Sequence, residues 1–212
     1  MDVPLSPLGV RQSQALAGWF ADLPPAERPT ALFTSPYRRA METATAIASA
    51  TGLSSSAFTI DERLRERELG MFNRLTRRGI ADRYPEQDEL RSRIGKFYYR
   101  PPSGESWCDV ILRLRSVSAE LQLQYAGERV LVVAHQAIVL CFRYLLEGMT
   151  EAQILDVDRK QEVANCSITS YERRSDGHGR MQMCLDRYNF VVPVAAAGEP
   201  VTRESDEPVA PR

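Results

Sequence analysis

The chain has 212 residues, with 27 Lys+Arg against 28 Asp+Glu. That length suits one α/β domain with a sizeable core, and the charge balance gives no net field to attract nucleic acid or an anionic membrane. Four widely spaced cysteines (Cys108, Cys141, Cys166, Cys184) form no CxxC or His/Cys zinc spacing, no apolar run is long enough to span a bilayer, and no secretory signal follows Met1, so no metal or cofactor is expected and a reduced, cytoplasmic setting fits.

In chain order, Ser6-Pro7 reads as a helix start, with Ser6 as cap and Pro7 in the first turn. Leu8, Ala15, Leu16, Trp19 and Phe20 form that helix's apolar face. Three prolines between residues 22 and 29 make a turn, and residues 30–34 (TALFT) a short strand. Ser35-Pro36 repeats the cap signal, opening a second helix that buries Tyr37, Ala40, Met41, Ala44 and Ala48 and ends near Gly52. Arg38 and Arg39 then fall in its first turn, where the helix dipole disfavours cations. Either they are solvated, or they grip an anion bound at that helix end.

Residues 58–60 form another short strand, residues 61–79 a charge-dense stretch broken at Gly70 and Gly79, and residues 83–100 a surface excursion able to cover a site. A helix is expected from about Ser106 to Tyr125. Residues 130–134 are an apolar, β-branched run of the kind buried in a parallel sheet, and it stops at His135. Ala137, Leu140, Cys141, Tyr144 and Leu145 then recur at helical spacing. His135 should therefore sit where a strand ends and a helix begins, the place where open α/β sheets bind ligands and where amide N–H groups favour anions. Residues 165–172 and 181–187 read as the arms of a hairpin, with His178 in its turn. From residue 195 to 212 the composition predicts a disordered tail, leaving residues 1–194 as the domain. No glycine-rich fingerprint follows a strand, which argues against a Rossmann-type nucleotide binder.

Four stretches fall in a recognisable order: SPLGVRQSQALA, TSPYRRAMETA, LRERELG, and GES followed by a helix and VLVVAHQ. Together they resemble the histidine phosphatase superfamily, which includes the phosphoglycerate mutases and the fructose-2,6-bisphosphatase domain. The resemblance runs from about Leu5 to Asn189. It implies a three-layer α/β sandwich, a mostly parallel sheet flanked by helices. It also implies hydrolysis of a small phosphomonoester through a phosphohistidine. On it, Arg39, Arg67 and His135 would bind phosphate, Glu66 would be the general acid with Glu68 its rival, and Ser106 would cap or line the site. Gln136, Arg91 and Lys96 would touch substrate, the last two only with a one-residue slip. The HQA run at His135 is similar to the fructose-2,6-bisphosphatase branch, but Leu140 stands where that branch has a sugar-phosphate-binding arginine, so the substrate is left open.

The family's nucleophile lies in an Arg-His-Gly motif on a first, central strand, ahead of the SPL helix. Neither motif nor strand is found here, and the only histidines are His135 and His178. Two accounts follow: an amino-terminally shortened phosphatase, which the retention of Arg39, Glu66 and His135 favours, or a non-catalytic relative that binds a phosphorylated ligand or a protein. Both predict no normal phosphohistidine turnover by this chain. A missing central strand also predicts an unpaired sheet edge and self-association into a homo-oligomer.

Overall fold

The computed structural model describes residues 3–73, 75–175, 177 and 181–203, with Arg77 described only in its backbone. Three parallel strands, β1 (Ala31–Thr34), β2 (Phe58–Ile60) and β3 (Val130–Val133), form a sheet in the order β2-β1-β3. Leu32 faces Phe58 on one side and Leu131 on the other. Side chains alternate between the two faces of each strand. Ala31, Phe33, Val130 and Val132 enter one core, under α5 (Trp107–Gln124), α6 (Gln136–Leu146) and α7 (Glu151–Lys160). Leu32, Leu131 and Val133 enter the other, under α1 (Pro7–Asp22) and α2 (Arg38–Thr51). The expected α/β architecture, with helices on both faces of a parallel sheet, is what the structure shows.

The local signals behave largely as expected. Ser6 caps α1 by accepting the Gly9 N–H, and Gly52 ends α2 in the left-handed conformation that a residue with a Cβ rarely adopts. Two short helices, α3 (Arg77–Arg83) and α4 (Pro85–Ile94), form the surface excursion. β4 (Ile168–Ser175) and β5 (Met181–Phe190) pair antiparallel as a separate hairpin, and the chain continues into α8 (Val192–Ala196). The turn residue His178 lies outside the described residues.

Three expectations need correction. α2 starts at Arg38 rather than after Ser35, whose hydroxyl accepts the Tyr37 N–H at 3.3 Å and lies 2.7 Å from His135 Nε2. No element is expected over residues 151–160, yet α7 forms there behind a capping box of Thr150 and Gln153. The tail does not begin at residue 195. Residues 199–203 lie against α1, where Gln12, only 2% exposed, donates to the Pro200 carbonyl at 2.7 Å and to Thr202 Oγ1 at 3.1 Å. The Arg11–Glu199 ion pair and a bridge between Ala164 and Arg203 hold the same segment. Residues 204–212 are outside the described set.

Every β1 residue is buried, but every β3 residue is only half-buried, although both faces of β3 are covered by core. The exposure therefore enters along its edge: among the described residues β3 pairs with β1 alone. Among those residues, too, no helix is long and apolar enough to cross a membrane.

Candidate active site at the strand ends

Each parallel strand delivers part of one cluster at its carboxyl end. After β1 come Ser35, Tyr37 and Arg39; after β2, the loop carrying Glu66, Arg67 and Glu68; after β3, His135 and Gln136. Arg39 Nη2 lies 3.1 Å from His135 Nδ1, joining residues 96 apart in sequence. On the other side of the ring, Nε2 lies 2.7 Å from Ser35 Oγ. A guanidinium can only donate. Nδ1 must therefore accept, which leaves the single proton of a neutral ring on Nε2, donated to Ser35. Burial, reinforced by the positive charges of Arg39 and Arg113, pulls His135 down to about 3, so the ring is neutral at physiological pH. His135 was expected as a phosphate donor. In this geometry its Nδ1 holds one nitrogen of Arg39 in place.

Tyr37 stacks beside His135, with ring centroids 5.3 Å apart, and Arg39 lies 5.2 Å over the Tyr37 ring. Its hydroxyl donates to Glu68 Oε1 at 2.8 Å; burial and the Glu68 carboxylate push it up to about 12. Glu66 Oε1 accepts the Arg67 N–H at 2.7 Å. The buried Cys141 thiol on α6 is pushed up to about 12 by burial and by the nearby Glu66 carboxylate, opposed by Arg113 and Arg67. Glu66, Arg67 and Arg113 thus lie within electrostatic reach of Cys141 in the middle of α6, and Arg113 also reaches His135. Arg67 donates to the carbonyls of Glu105 (2.7 Å) and Tyr99 (3.2 Å). Its pKa falls through burial and repulsion from Arg91. Arg91, with Ser92, Gly95 and Lys96, lines an open surface cavity of about 230 Å³.

One expected substrate contact is occupied otherwise. Lys96 is paired with Asp158 at 2.6 Å and lies over Trp107, so its charge is already neutralised. Ser106 is 4% exposed and caps α5 in a capping box with Asp109, the first of its two expected roles. Gln136 is the first residue of α6, half-buried next to His135. Leu140 is 1% exposed and sits in the core with Ile138 and Cys141. Sequence reasoning missed Ser35, taken for a cap; Tyr37, taken for core; and Arg113, whose signal was a lone arginine on the buried face of α5.

The loop from residue 65 to 69 has no helix or strand, and close backbone contact at Gly70 fixes its end. Gly70 has φ +56°, and a Cβ there would meet the Pro102 carbonyl oxygen at 2.2 Å. That oxygen cannot withdraw freely, because it accepts the Met71 N–H at 3.0 Å. Gly70→Ala is expected to destabilise the protein by roughly 2–4 kcal/mol, combining left-handed strain with a backbone clash. Urea denaturation checks this; a loss below about 0.5 kcal/mol, the range of ordinary surface substitutions, would contradict the contact.

The chain matches the family model of the histidine phosphatase superfamily (branch 1) over residues 1–184. The chain belongs to this superfamily. Among curated proteins, a histidine phosphatase relative, the 6-phosphofructo-2-kinase/fructose-2,6-bisphosphatase of Gallus gallus, is 35% identical over 151 residues, covering 71% of this chain and 29% of that protein. The human 6-phosphofructo-2-kinase/fructose-2,6-bisphosphatase 3 is 43% identical over 89 residues, 42% of this chain and 16% of its own length. The chain thus spans less than a third of these relatives. Among solved structures, the mycobacterial glucosyl-3-phosphoglycerate phosphatase in complex with inorganic phosphate aligns with TM-score 0.75 and 28% identity, covering 92% of this chain and 91% of that one. The native form of that enzyme gives 0.72 and 29%, covering 90% and 89%.

Proposed function

We propose that the cluster binds the phosphate of a small phosphomonoester, as the phosphatase members of the superfamily do, and that this 212-residue chain does so without normal phosphohistidine turnover. The observation that carries this reading is the Arg39–His135 contact at 3.1 Å, at the ends of two adjacent parallel strands. It places a fixed guanidinium where amides and a helix start already favour an oxyanion. Glu66 and Arg67, on the loop that follows the adjacent strand β2, fit the roles of proton donor and second phosphate contact. A phosphohistidine needs an imidazole nitrogen free to attack phosphorus. Both nitrogens of His135 are engaged with protein groups, and the only other histidine is His178.

A monoester fits better than a bisphosphate sugar, because Leu140 places a buried aliphatic side chain, not a guanidinium, on the inner face of α6. The four cysteines are free thiols, which accords with a reducing, cytoplasmic setting. The test uses the purified chain. Inorganic phosphate should bind in calorimetry, while incubation with a phosphoryl donor should leave no acid-labile phosphate on the protein. Absence of phosphate binding would sink the site, and robust labelling would sink the claim about turnover.

The half-exposed β3 edge further supports self-association by strand pairing. Light scattering should show species larger than a monomer; a monodisperse monomer at high concentration would contradict this.

A further inference from the structure

We propose that Glu105 and Arg113 are positioning residues, a brace on α5 and the turn before it that sets the aim of Glu66 and Arg67. The proposal rests on the phosphate-site reading above and adds to it two residues outside the phosphate pocket. Glu105 directs every polar group it has at the site loop or at its partner. Its N–H donates to the Glu68 carbonyl at 2.8 Å, and its own carbonyl accepts Arg67 Nε at 2.7 Å. Its carboxylate accepts the Glu68 N–H at 3.0 Å on Oε2. The same carboxylate takes both arms of the Arg113 guanidinium, at 3.0 and 3.1 Å. Arg113 then reaches the near end of the loop, donating to the carbonyls of Arg63 and, at 2.8 Å, of Arg65.

Glu66 is therefore bracketed: residues 63 and 65 are held by Arg113, and residues 67 and 68 by Glu105. Both side chains of the pair are largely buried, with 14% and 18% of their surface exposed. Such a pair adds little net stability over apolar residues of similar size, because desolvation offsets attraction. What it supplies is fixed direction. Two charged groups hold backbone atoms on both sides of a segment that has no ladder or helix of its own. Arg113 also bears on His135 directly, as one of the two cations that depress its basicity.

The experiment compares the full chain with the double variant Glu105→Met/Arg113→Met, which removes the pair without stranding a buried charge. Amide hydrogen exchange reads the brace, and calorimetry with inorganic phosphate reads its consequence. The folded double variant should exchange its Arg67 and Glu68 amides at least about tenfold faster, with β1 and β3 amides unchanged, and bind phosphate about tenfold more weakly. If the double variant does not fold, Arg113→Lys is read the same way, since it keeps the charge but cannot span the carboxylate and two carbonyls together. Unchanged exchange in the loop of a folded variant overturns the brace. So does faster exchange with unaltered phosphate affinity, because the pair would then hold the loop without aiming it. If the parent chain itself binds no phosphate, the functional reading fails instead, and exchange alone decides the brace.

Discussion

Arg39→Ala is expected to weaken binding of inorganic phosphate by about 30- to 100-fold, corresponding to roughly 2–3 kcal/mol for charge-assisted hydrogen bonds lost from one guanidinium. The side chain is half-buried between Tyr37 and His135, and one of its nitrogens is already committed to His135 Nδ1. An entering oxyanion would meet donors whose direction is fixed before it arrives. Arg39→Lys should recover little, because one ammonium cannot serve the imidazole and an oxyanion in the planar geometry a guanidinium offers. The substitution to alanine should also make His135 more basic, since the Arg39 charge is the largest cause of its shift after burial. Calorimetry gives the first effect and NMR titration of the ring the second. Phosphate affinity within about threefold of the parent, under 1 kcal/mol, would remove Arg39 from the site.

Stability should fall as pH is lowered from about 6.5, and His135 should account for the first part of the loss. Its folded-state pKa is about 3, against an ordinary value of 6.5. Between those limits the unfolded chain takes up a proton that the folded chain refuses, so unfolding is favoured as pH falls. The slope approaches about 1.4 kcal/mol per pH unit for one group. Asp61, Asp109 and Glu147 are held below their usual range by paired cations or hydrogen bonds, working against burial, and they add loss in the same direction. Their contribution falls at lower pH, as protons reach the carboxylates of the unfolded chain. The window from pH 6.5 to 5 therefore isolates the imidazole, with an expected loss of roughly 2 kcal/mol. Urea denaturation across that window, repeated on His135→Gln, is the measurement. The variant should be nearly flat; a parent and variant with the same slope would mean that His135 takes up protons freely in the folded state.

Much of this arrangement was legible because local chemistry and global fold agree at the places that matter. An apolar β-branched run stopping at His135, followed at once by helical spacing, placed the β3–α6 junction within a residue or so. Ser6 and Gly52 marked helix ends that the structure keeps. What escaped was set by contacts distant in sequence. Gln12 is polar yet buried, because residues 200 and 202 satisfy it, and composition alone read those residues as solvated tail. Ser35 accepts the Tyr37 N–H as a local cap signal suggests, but its hydroxyl also meets the imidazole 100 residues away. Lys96, expected at the substrate, pairs with Asp158 on α7, a contact 62 residues apart that no local pattern signals. The neutral state of His135 follows from burial and two arginines on different elements, which no local pattern encodes.

The seam between α1 and residues 199–202 bears on how the polypeptide comes to be assembled. Gln12 and Arg11 find their partners 188 to 190 positions later in the chain. Loop closure over that distance is slow to be repaid, and until residues 200 and 202 are in place α1 carries an unsatisfied amide on the side it must bury. Docking of α1 is thus expected to be a late event, with the strand–helix unit at residues 130–146 able to gather neighbours earlier.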